Sequence, residues 1–101
     1  MENEQQTNTE LISVIKTDLG IKHDKRDDDI ECCVSAAIKR MQMIGVEKVD
    51  STDPVTKQAI KLYARHWYNF QGEAERYGLA FEALGNAMAL SGDYREAENN
   101  E

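Results

Sequence analysis

Nowhere does this chain approach the roughly 18 consecutive apolar residues that a membrane-spanning helix needs, so no span is expected. Cysteine is scarce: Cys32 and Cys33 are the only two, and they are adjacent. On a helix, adjacent side chains point about 100° apart, which disfavours a disulfide between them. Two cysteines without spaced partners do not compose a zinc site either. Both are read as reduced thiols, with Cys33 in the core. Basic residues are outnumbered, 12 against 19 acids, for a net charge of −7. That argues against general nucleic-acid binding, which needs a basic footprint. The alternation of apolar and polar residues that marks strands is missing, as are internal repeats and low-complexity tracts. The N-terminal MENEQQTNTE has neither the basic nor the apolar region of a secretory signal, so synthesis and retention in the cytosol are expected. There is no glycine-rich phosphate loop, no paired-carboxylate motif, and no nucleophile placed beside a base. The expectation is therefore no enzyme, no cofactor and no metal.

What is present is helical periodicity. The 101 residues make one small domain, and a chain this short is expected to draw part of its stability from assembly. A first helix is expected over residues 9–19, capped by Asn8 or Thr9, with Leu11, Val14 and Ile15 inward and Gly20 as its stop. Asp27, Asp28 and Asp29 suit the positive end of a second helix, reaching to Ile44. Its apolar positions, Ile30, Cys33, Val34, Ala37, Ile38, Met41 and Ile44, repeat every 3.6 residues. A third helix covers residues 53–70. A fourth, over residues 77–90, has Tyr77, Ala80, Phe81, Leu84, Ala87 and Met88 on one side, with Gly85 inside it at a cost of about 1 kcal/mol. The expected fold is all-α: a small bundle of about four helices, the second and third long, central and packed antiparallel, the first and fourth covering the ends. Residues 1–8 and the acidic tail 91–101 are expected to be flexible, leaving residues 9–90 as the domain.

The third helix, DPVTKQAIKLYARHWYNF, is the most informative segment. Asp53 can accept an orphan backbone N–H, and Pro54, the one proline, fits the first helical position. Steps of three and four place Ala59, Leu62, Tyr63, His66, Trp67 and Phe70 on one face. His66, Trp67 and Leu62, with Ile38 of the second helix, are expected core residues. His66 reads as a hydrogen-bonded core histidine, since nothing beside it completes a catalytic set. Lys57, Lys61 and Arg65 line the opposite face. Three readings of that stripe stand open: a solvated face, a surface that meets acids of a neighbouring subunit, or a seat for DNA phosphates.

Other candidates are weaker. The loop from His23 to Asp29 gathers carboxylates, but its spacing fits no calcium loop and Lys25 and Arg26 offset the charge. Cys32, Ala36 and Met43 lie on the outer side of the second helix, and Tyr68 on the polar side of the third. These are candidate partner contacts, together with acidic Asp27, Asp28 and Glu31.

The order of the motifs is specific. A short helix is followed by a turn with Asp24 and Asp28-Asp29-Ile30, then Ala36-Ala37, then Asp53-Pro54. Gln58-Ala59-Ile60-Lys61-Leu62 and Ala64-Arg65-His66-Trp67-Tyr68-Asn69 complete the series. Over residues 11–84 this resembles the small head–tail connector (adaptor) proteins of long-tailed double-stranded DNA phages, often described as DNA-packaging proteins. Where such proteins have Arg-Glu after the aromatic-Asn cluster, this chain has Phe70-Gln71. Where they have Leu-Pro before the last core helix, it has Gly78-Leu79-Ala80-Phe81. The resemblance implies a non-catalytic subunit, without cofactor, that forms a homo-oligomeric, twelve-fold ring under the portal protein at the capsid vertex of the virion. Such a ring extends the channel through which genomic DNA passes and docks a head-closure (stopper) or tail protein. The source would be a phage or a prophage, with synthesis in the bacterial cytoplasm. The alternative is a small helical regulatory or DNA-associated binding protein.

Overall fold

The computed structural model describes the backbone of residues 2–95 and the side chains of residues 9–95. Four helices form in chain order: α1 (Glu2–Leu19), α2 (Asp27–Ile44), α3 (Pro54–Trp67) and α4 (Ala74–Leu90). The architecture is all-α, as expected. Short 3₁₀ turns follow α3 at Phe70–Gly72 and α4 at Gly92–Tyr94.

Local chemistry accounts for most helix ends. α2 begins on three aspartates and stops at Gly45, whose N–H bonds back to the carbonyls of Met41 and Gln42. α3 begins where Asp53 accepts the Thr56 N–H, with Pro54 in the first turn. α1 is longer than expected. It reaches back to Glu2 through residues assigned above to a flexible terminus. Nothing there breaks a helix: the segment has no glycine or proline, Glu and Gln are good helix formers, and acids suit a helix start.

The connection from α3 to α4 also differs. α3 ends at Trp67, three residues early, and α4 starts at Ala74, three residues early. Between them Asn69 takes a left-handed conformation (φ 49°) and its Oδ1 accepts the Ala74 N–H. Asn tolerates this region better than most residues. Gly78 lies inside α4.

The core gathers Leu11 and Ile15 of α1, Ile30, Cys33, Val34, Ala37 and Met41 of α2, Val46, then Ala59, Ile60 and Ala64 of α3, and Phe81 and Met88 of α4. α3 is central: it packs on α2, as expected, touches α1 as well, and packs most extensively on α4. This explains a misread face. Three helices crowd the side of α3 that carries Thr56, Ala59, Ile60 and Ala64, all buried. Small residues permit that close approach. The larger aromatics are displaced to the rim, so His66 and Trp67, expected in the core, are exposed. Leu62 and Ile38 are half-buried against the core. Gly85 of α4 has a packing reason: a Cβ there would stand 3.0 Å from Ile44 Cδ1, so the glycine admits Ile44 between the helices.

The tail expected to be flexible is anchored through residue 95. The Tyr94 carbonyl accepts the N–H groups of Glu47 and Lys48, both at 2.9 Å, and its hydroxyl donates to Asp53 Oδ2 at 2.8 Å. Residues 96–101 lie outside the described residues. Burial first, then the bond to Asp53, pushes the Tyr94 phenol up from 10.0 to about 12. A phenol held protonated by the fold contributes stability that is complete below about pH 10 and is lost as the pH rises toward about 12. Tyr94→Phe is expected to be less stable than wild type near about pH 8 and to lose less stability from there to about pH 11. Urea titrations at both pH values check this; parallel pH dependences would show that the Tyr94–Asp53 contact is not holding the tail.

Candidate partner-binding surfaces

α1 and α3 meet along a seam of about 540 Å³ lined by Ser13, Val14, Thr17, Asp18, Lys57 and Lys61. The basic stripe of α3 is divided here. Arg65 is not available to a partner: its Nε and Nη2 donate to the two carboxylate oxygens of Asp18 at 2.9 and 2.7 Å. Its guanidinium also lies 5.5 Å from the Phe70 ring centre and 5.3 Å from that of Tyr77. These contacts hold the end of α1 to α3 and α4, and the Asp18 hydrogen bonds raise the pKa of Arg65 further. Lys57 and Lys61, half-buried in the seam, have no acidic partner among the described residues.

The outer side of α2 carries Asp28, Glu31, Cys32 and Met43, all exposed, with Ala36 half-buried among them. The other acids at this end are engaged within the chain. Lys16 donates to Asp24 and Asp27 at 2.7 and 2.9 Å, which raises the lysine and lowers Asp24. Tyr68 donates to Asp29 beneath the Arg26 side chain, so Tyr68 bridges α3 to α2 instead of pointing to a partner. Burial, then the Asp29 bond, raises its phenol. Among the described residues no group of three His, Cys, Asp or Glu side chains is placed to hold a metal ion. Cys33 is buried, which pushes its thiol up to about 12, while Cys32 is exposed.

A second groove, about 270 Å³, runs between α3 and α4. It is lined by Arg40, Tyr63, His66, Glu75, Gly78, Leu79, Phe81 and Glu82. Arg40 pairs with Glu82 across its end. Tyr63 meets Phe81 edge-on at 4.8 Å and lies 5.8 Å from His66. The His66 ring rests on Gly78, its Nδ1 2.9 Å from the Ala74 carbonyl. That contact ties His66 of α3 to the start of α4. A Cβ at position 78 would stand 2.8 Å from Nδ1. Gly78→Ala is therefore expected to displace the ring and lose its hydrogen bond, a cost of about 1 kcal/mol that offsets the similar gain in helix propensity. Combining it with His66→Ala should recover that gain. Thermal melts check this, and a single variant more stable than wild type would show that the ring gives way freely.

The sequence carried no signal for the Asp18–Arg65 pair or for the Gly78 contact, because both join segments far apart or depend on which face of α3 is buried. Comparisons with protein families, curated proteins and solved structures find no match for this chain.

Proposed function

We propose that this chain is a structural assembly protein, a head–tail connector subunit that forms a ring under a phage portal, extends the DNA channel and docks the next connector or tail protein. The reading rests on the ordered series from Asp24 to Asn69 that resembles that family. The observation that carries it further is the apolar surface left uncovered on so small a domain. Leu90 is 82% exposed, Met43 68%, Leu79 65% and Trp67 40%. Met43 stands near the C-terminal end of α2 and Leu90 is the last residue of α4. Trp67 and Leu79 lie by the groove between α3 and α4. Apolar groups of this size favour protein contacts over catalysis. A net charge of −7 suits a subunit past which DNA slides without sticking.

Native mass measurement and negative-stain imaging test the reading, on the chain alone and mixed with a portal protein from the same genome. Rings or a portal complex are expected. A persistent monomer in both settings would overturn it. Lys57 and Lys61, without an acidic partner among the described residues, favour one alternative, a small DNA-associated binding protein, which would reveal itself by duplex binding with a steep salt slope.

A further inference from the structure

We propose that the seam between α1 and α3 is a socket for the acidic N-terminal end of α2 from a second copy of this chain; this rests on the reading that the chain assembles with itself. Lys57 and Lys61 stand one turn apart on the edge of α3 that faces α1. Two like charges at this spacing repel, and no acid among the described residues relieves them. Across the seam, Ser13 and Thr17 add hydroxyl donors, and the one carboxylate lining it, Asp18, is taken by Arg65. The seam thus offers two cations and two hydroxyls to an acidic occupant.

The outer face of α2 has the complementary pattern. Asp28 and Glu31 are exposed and three residues apart, a spacing close to that of the lysines. Neither has a basic partner among the described residues, whereas Asp27 and Asp29 on either side of Asp28 are engaged by Lys16 and Tyr68. Further along the same face comes Lys39, so the acidic part is confined to the first turns.

Topology separates the two surfaces. α2 packs on both α1 and α3, so the seam between those two opens on the side away from α2, and the exposed face of α2 looks outward. One copy cannot fill its own socket. The contact is head-to-tail, which closes into a ring or continues as a filament according to the rotation between copies. Each copy carries −7, so moderate salt should help: it screens the long-range repulsion while leaving contact pairs in place.

A thiol ladder tests the pairing directly. Ser13→Cys puts a thiol in the seam, and exposed Cys32 adjoins Glu31, while buried Cys33 does not compete. In about 0.1 M salt with diamide as oxidant, the Ser13→Cys chain should form disulfide-linked multimers longer than a dimer. Wild type and Ser13→Cys/Cys32→Ser, each with one accessible thiol, can reach only a dimer. Adding Lys57→Glu/Lys61→Glu, or Asp28→Lys/Glu31→Lys, should cut the ladder about tenfold. Mixing those two charge-reversed variants should restore it, because each then offers the other a complementary surface. A ladder insensitive to both reversals, or a mixture that fails to recover, overturns the socket; if rings still form, the assembly reading survives. No ladder together with a monomeric wild type overturns both. Duplex DNA binding that Lys57→Glu/Lys61→Glu abolishes, with the ladder unchanged, would assign the seam to phosphate instead.

Discussion

Phe81→Ala should lower the free energy of unfolding by about 3–5 kcal/mol, among the largest effects available to a single substitution in this chain. Phe81 is the largest fully buried side chain, 1% exposed, on the α4 face that packs against α3. Its ring meets Tyr63 edge-on at 4.8 Å. Truncation removes transfer energy, leaves a cavity that the surrounding helices fill only in part, and forfeits an aromatic pair that is worth about 0.5–1.5 kcal/mol beyond its area. Domains of this size hold about 5–15 kcal/mol in total, so the variant should sit near the edge of folding. Urea denaturation should show a midpoint lowered by roughly 1.5–3 M with little change in slope. Leu79→Ala, two positions away but 65% exposed, is the control and should stay within about 0.5 kcal/mol of wild type. A loss below about 1 kcal/mol at Phe81 would mean that α3 and α4 close over the gap and that the core is less tightly packed than its burial implies.

Elements whose cues are local and periodic were legible in the sequence. α2 is the clearest case. Its acids and Gly45 mark the ends, and Ile30, Cys33, Val34, Ala37 and Met41 face the core. The start of α3 was equally plain, because Asp53 and Pro54 act on their own helix. The buried face of α3 was not. Periodicity favours the largest apolar groups, whereas a helix packed by three others buries its small ones, so Ala64 went in and Trp67 stayed out. The basic stripe was recognised, but its division was not, because the acid that claims Arg65 lies 47 residues away on α1. The docking of residues 91–95 depends on two backbone N–H groups and one tyrosine hydroxyl, which leave no pattern in an acidic polar tail. What remained of the stripe, Lys57 and Lys61, makes no ion pair among the described residues.

Arg65→Ala should cost about 2–3 kcal/mol, the second of the large effects. Its guanidinium is bidentate to Asp18 and lies near the rings of Phe70 and Tyr77, so one side chain joins α1, the turn after α3, and α4. Removing it strands Asp18, only 10% exposed, without its counter-charge. Fully buried pairs lose about 3–5 kcal/mol on losing one partner; the Arg65 side chain is 27% exposed, and water recovers part of that cost. Arg65→Lys keeps the charge but loses the fork and the flat stack, so it should recover less than half of the loss. Asp18→Asn keeps the shape and should cost less than Arg65→Ala, because a neutral amide left without its partner is cheaper to bury than a carboxylate. The pair of Asp18→Asn and Arg65→Ala in one chain should then be less destabilised than the sum, with a coupling of about 1–2 kcal/mol. Hydrogen exchange localises the effect: amides of α1 should lose protection before those of the α3–α4 pair, since Arg65 is the tie that fastens the end of α1. Additive single costs, or uniform loss of protection across all four helices, would show that α1 is held by its apolar residues Leu11 and Ile15 alone.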